Sequence, residues 1–186
     1  MRKALLWLMA ATLMVAARPG AAQTTADWTI LVYLNGDSTA AYENASIRIF
    51  NALEQIGSTQ QVNVVVQWDR GPNDDALTAA YPLDTTQAWQ TTRRYLVVAD
   101  PAQSGLTPDT LTAAATRIAS PALVDLGEVD MGQQASLVDF YTWTAARFPA
   151  RHYCLVLSGP GTGWQPRSKS RGMLLDGTTV ATGAND

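Results

Sequence analysis

Arg151–Trp164, RHYCLVLSGPGTGW, reads as a short apolar strand running into a glycine-rich loop. His152–Leu157 supply the strand, and Ser158–Trp164 supply the loop. Strand ends that open into glycine loops are where α/β proteins usually place their chemistry. This loop, however, holds no side chain able to act as acid, base or strong nucleophile. The strand carries the chain's one histidine, His152, and its one cysteine, Cys154. Two residues apart on a strand, they point to the same face. That spacing could look like a catalytic dyad. Burial inside an apolar run would raise the thiol pKa and hide it, which favours a core role for Cys154. His152 is most simply a strand-entry residue beside Arg151.

Upstream the same strand grammar recurs. Asp27–Asn35 is a β-branched and aromatic run, stopped by Gly36-Asp37-Ser38, which also offers a helix cap. Ala45, Ile49, Ala52, Leu53 and Ile56 then recur at helical spacing before Gly57, a plausible C-terminal stop. Val62–Trp68 is almost continuously apolar, the pattern of a strand covered on both faces in a parallel sheet. Strand, helix and strand within about 40 residues make a βαβ unit. A third strand is expected over Thr91–Val98, paired with a short one near Leu77–Tyr81, and a brief one over Ala122–Leu126. Asp130–Gln133 has capping-box spacing, with the helix start there or a few residues later. Leu137, Phe140, Tyr141, Thr144 and Phe148 continue that helix to Pro149. Arg171–Leu175 offers one more strand. The class is α/β with a mainly parallel sheet flanked by helices.

Composition narrows the function. The chain has 186 residues, 47% of them hydrophobic and 16% charged, enough for one domain with a sizeable core. Met1-Arg2-Lys3, the apolar run Ala4–Ala17 and the small residues ending at Ala22 form a secretory signal over residues 1–22, with the domain expected over residues 27–186. The run is short for a spanning helix, which needs roughly 20 residues, although an uncleaved anchor is the competing reading. Removing Arg2, Lys3 and Arg18 takes the net charge from −3 to about −6. An acidic domain without a basic patch is a poor partner for nucleic acid or anionic membranes. One cysteine allows no intrachain disulfide, and the chain reads as a bacterial-type export, secreted or periplasmic. Asp69, Asp74 and Asp75 could bind a cation, but they lack EF-hand spacing. Gly159–Gly163 lacks the lysine of a P-loop. Trp28, Trp68 and Trp89 are expected as core or rim aromatics.

Four blocks resemble the clostripain-like cysteine peptidases, which have a caspase-like α/β fold. They are Trp28–Asp37; Val62–Arg70 with Thr92–Tyr95; Leu126–Gly132 with Leu137–Phe140; and Phe148–Tyr153 running into Leu155-Val-Leu and Gly161–Trp164. Together they span about residues 27–176. The resemblance implies a peptidase cutting after basic residues with a His–Cys dyad. In the family the histidine stands in a Trp-x-His-Gly-x-Gly-Trp loop. Here Ser158 replaces the tryptophan and Pro160 takes the place of the histidine, while Gly161, Gly163 and Trp164 match. The family cysteine comes at the end of the next core strand, in an Asp-x-Cys setting whose Asp helps select the basic residue. The chain stops at Asp186 before such a strand, so a truncated sheet, incomplete on its C-terminal side, is expected. No intact catalytic residue is expected, and Gly161 remains as a backbone donor for an oxyanion. Relatives are often calcium-dependent and self-processing, so calcium is the cofactor implied, with no ligand set carried over. The expected roles are a catalytically inactive peptidase-family domain, an exported pseudo-peptidase that binds a peptide or protein, or an enzyme completed by a second polypeptide.

Overall fold

The computed structural model describes residues 25–71, 89–105 and 118–161. β1 (Ala26–Asn35), β2 (Val62–Asp69), β3 (Thr92–Leu96), β4 (Ala122–Asp125) and β5 (Ala150–Ser158) form one sheet in the order β4-β3-β2-β1-β5. β1 lies parallel to both β2 and β5. β3 and β4 extend this parallel centre as antiparallel strands. α1 (Ala40–Glu54) and α2 (Gln134–Arg147) pack on opposite faces. The α/β class expected from the sequence is the one observed. The expected strands at 77–81 and 171–175 lie outside the described residues, as do the signal segment and the end of the glycine loop.

Side-chain alternation along the strands divides the core in two. Val32, Leu34, Val64, Val66 and Trp68 face α1, where they meet Ile47 and Phe50. Leu31, Tyr33 and Val65 face α2 and pack with Met131 and Phe140. The centre of the first layer is Trp68, fully buried, stacked on Phe50 at 4.7 Å and edge-on to Trp89 at 5.2 Å. Such aromatic pairs add about 0.5–1.5 kcal/mol each beyond the area they bury. Trp68 and Trp89 are therefore core residues as expected, and Trp28 is a rim residue, 43% exposed.

Several sequence expectations shift. Of the expected stripe Ala45, Ile49, Ala52, Leu53 and Ile56, α1 packs only Ile49 and Leu53 against the sheet core. Ala45 and Ala52 are exposed, Ile56 is 76% exposed, and Ile49 and Leu53 are only half-buried. The buried stripe is Glu43, Ser46, Ile47, Phe50, Asn51 and Glu54. Polar side chains can line it because they are bonded there. Trp68 Nε1 donates to Ser46 Oγ at 2.9 Å, and the Glu54 carboxylate accepts from the backbone N–H groups of Ser120 at 2.7 Å and Ala119 at 3.3 Å. Burial raises the Glu54 pKa against these bonds. Ser38 does not cap α1; the cap position is Thr39, which makes no side-chain cap bond. Gly57 stops the helix at φ +67°, its N–H donating to Leu53 O at 2.8 Å. α2 begins at the later of the two expected starts, because Asp130 is engaged by Gly132 N–H at 2.8 Å and Gln133 Nε2 at 3.0 Å instead of opening the helix. The third strand is shorter than expected and pairs with β2 and β4.

Candidate functional site

The connections leave β1 toward β2 on one side and reach β5 on its other side, with their helices on opposite faces. In open α/β sheets the crevice between two strands so related, at their C-terminal ends, is the usual ligand position. Here it lies between the ends of β1 and β5. Gly36-Asp37 follow the first, and Gly159-Pro160-Gly161 follow the second. The antiparallel return of β3 and β4 brings the start of β3 and the segment after β4 to the same end of the sheet.

At that end a polar cluster is built from four elements. One carboxylate oxygen from each of Asp37, Asp69 and Glu128 lies within 4.8 Å of the others. Asp37 and Asp69 are buried, and Glu128 is exposed. Thr92 Oγ1 donates to Asp69 Oδ1 at 2.6 Å, and Thr92 N–H donates to Gly127 O at 2.8 Å, which holds Glu128 near β2. Gly71 passes so close to Asp37 that a Cβ there would stand 1.8 Å from its Oδ1, so a side chain at 71 would displace the Asp37 carboxylate. Next to the cluster, buried Arg70 is paired with buried Glu43 and stacks on Trp89 at 4.3 Å and on Trp68 at 5.4 Å. Burial raises the Glu43 pKa, Arg70 opposes that rise, and the Asp37 charge adds to it. Burial also acts upward on Asp125, but the Gly127 N–H and Arg93 hold its carboxyl below the usual value.

The sequence grouped Asp69 with Asp74 and Asp75, which lie outside the described residues. The structure groups it with Asp37 and Glu128. The strand-end position of Asp37 and Asp69 was a usable signal; the approach of Glu128 depends on the β3–β4 return. Oxygen-only donors of this kind suit a hard divalent cation such as calcium.

The residues of the resemblance fall elsewhere. Pro160 is buried just beyond β5, and Gly161 is exposed. Gly163 and Trp164 lie outside the described residues. Cys154 is half-buried in the middle of β5, so it is not the buried core residue expected; among the described residues β5 pairs with β1 alone. His152 shares its face and lies against Trp28, the two rings tilted with centroids 4.8 Å apart. Six residues of strand separate His152 from Ser158, about 20 Å at the rise of an extended chain. The chain's only imidazole thus sits at the far end of β5 from the glycine loop.

No family model and no curated protein matches the chain. Among solved structures it is similar to a cysteine protease of B. fragilis, with 15% identity and a TM-score of 0.47 over 76% of this chain and 95% of that one. It is also similar to a secreted cysteine protease of Bacteroides thetaiotaomicron in complex with an irreversible peptide inhibitor, with 16% identity and a TM-score of 0.46 over 78% of this chain and 32% of that one. A third is a clostripain of the same organism in complex with a peptide inhibitor, with 12% identity and a TM-score of 0.44 over 77% of this chain and 98% of that one. The chain resembles clostripain-like cysteine proteases. Identities this low say nothing of chemistry, which rests on the residues of this chain alone. Among the described residues no helix is long and apolar enough to cross a membrane.

Proposed function

We propose that this chain is an exported, clostripain-like peptidase domain that does not cut peptide bonds. The family it resembles cleaves after Arg or Lys. The observation that carries the reading is the loop after β5, where a buried proline occupies the position of the family base while the only histidine stands about 20 Å away along the strand. Proline accepts no proton, and loss of a general base costs about 10²–10⁴-fold in rate. Cys154 is held mid-strand, about 13 Å along β5 from Ser158, where the loop begins. Gly161 is exposed and its backbone N–H could serve an oxyanion, but a donor without a nucleophile transfers no acyl group.

An irreversible arginyl-peptide inhibitor of thiol peptidases tests this. It labels Cys154 no faster than a simple thiol reagent of the same reactive group. Labelling accelerated by the arginyl residue, and blocked by competing arginyl peptide, overturns the reading.

A second reading, a non-catalytic module that holds a peptide or protein, is favoured by a groove of about 710 Å³. It runs between α2 and the β3–β4 side of the sheet, lined by Leu96, Leu123, Trp143, Ala146, Arg147 and Phe148. Saturable binding of a peptide that Trp143→Ala abolishes, without turnover, would favour it.

A further inference from the structure

Glu54 carries a carboxyl group that neither the strand-end cluster nor the glycine loop uses. It is the last residue of α1, and it is fully buried. Its backbone and its side chain each hold another part of the chain. Its carbonyl accepts from Asp100 N–H at 2.7 Å, on the connection that follows β3. Its side chain reaches the segment that leads into β4. One carboxyl oxygen accepts from Ser120 N–H at 2.7 Å, and the other accepts from Ala119 N–H at 3.3 Å. Ser120 is buried, and its Oγ accepts in turn from Val98 N–H at 3.0 Å. Ile118, one step earlier, is packed into the α1 core layer. One titratable residue therefore joins the end of α1, the connection after β3 and the entry to β4.

β4 itself is lightly held. It is 4 residues long with none of them buried, and its ladder to β3 shifts register between Arg94 and Tyr95. At its far end Leu126 N–H donates to Thr92 O at 2.9 Å, and Gly127 O accepts from Thr92 N–H at 2.8 Å. At its near end stand the Glu54 bonds.

We propose that Glu54 is a pH-sensitive latch on the entry to β4, closed when its carboxyl is neutral and loosened when it is charged. A neutral carboxyl suits this joint. Its carbonyl oxygen takes the short bond from Ser120 N–H, its hydroxyl meets the Ser120 side chain, and no charge is left away from water. The ionised form keeps the N–H bonds but holds a full charge in a buried joint, and opening returns that charge to water. Burial is the largest influence on the group. The like charge of Asp100 adds to it, and together they outweigh the bonds from Ser120 and Ala119, so the pKa stands above 4.5. The closed joint thus binds a proton more firmly than the open one. Closure is fully favoured below pH 4.5 and weakens as pH rises through the raised value. Glu128 follows just beyond β4, so the latch acts on the strand that delivers that side chain to Asp37 and Asp69.

Amide hydrogen exchange of the full chain, corrected for the pH dependence of the intrinsic rate, tests the latch. Protection at Ala119 and Ser120 falls as pH rises above 4.5, by up to about tenfold for each pH unit crossed. Glu54→Gln keeps a neutral acceptor for Ser120 N–H. In that variant protection at Ser120 matches the low-pH value of the unmodified chain and no longer changes with pH. Should the variant fail to fold, carbon-13 titration of the Glu54 carboxyl in the unmodified chain decides. Its midpoint lies above 4.5, and the Ser120 amide signal moves with it. Protection at Ser120 that is flat with pH in the unmodified chain overturns the proposal. Protection that rises with pH does so too, because the charged form would then be the closed one. A Glu54 midpoint at or below 4.5, or a Gln variant that retains the full pH dependence, also overturns it.

Discussion

β2 and β5 have nearly the same sequence grammar and opposite fates. Both are largely apolar runs beside β1 in parallel register. Val64–Asp69 is buried without a break, because β2 has a strand on each side and a helix layer on each face. β5 has no buried residue at all. An apolar run reports that a strand is meant to be covered, and the number of its neighbours decides whether it is. The same difference separates the chemistry at the two strand ends. β2 ends in a buried, bonded cluster of Asp69, Arg70, Glu43 and Thr92, whereas β5 ends in glycine and proline.

Substitutions can break the contrast in a graded way. Trp68→Ala removes the centre of the α1 layer and should cost about 3–5 kcal/mol in urea unfolding. A loss under 1 kcal/mol would mean that the β2 side is no better packed than β5. Thr92→Val strips the buried Asp69 carboxylate of its 2.6 Å donor and should cost about 1–3 kcal/mol by the same assay.

Glu43→Gln sharpens the comparison by pH. Burial raises the Glu43 pKa above 4.5, so the contribution of its carboxyl is fully present below pH 4.5 and is lost as the pH rises through the raised value. The stability of the Gln variant relative to the unmodified chain therefore improves as pH rises through that window. Relative destabilisation over the same window would contradict the assignment. Val156→Ala, at an exposed position of β5, should change the unfolding free energy by about 0.5 kcal/mol or less. A loss several times larger would show β5 to be covered like β2.

Much of the fold was legible because β-branched runs such as Val62–Val66 and the helical spacing of Leu137, Phe140 and Thr144 report local structure directly. The buried face of α1 was not, because Glu43, Ser46 and Glu54 are buried by partners at least 20 residues away. Hydrophobic periodicity is blind to such bonds. The Asp37–Asp69–Glu128 cluster was half legible. Two of its members end adjacent parallel strands, but Glu128 arrives through an antiparallel return that no local pattern announces. Cys154 was expected in the core because its apolar neighbours do not reveal that β5 is only half-buried among the described residues.

The most direct test of the central claim is turnover of an arginyl reporter peptide by the purified chain. The chain should release no more product than the peptide does alone in buffer, over the full range of pH and with calcium present. Cleavage that rises with chain concentration and disappears on Cys154→Ala would contradict the claim, because it would require a working base that Pro160 and the distant His152 do not provide.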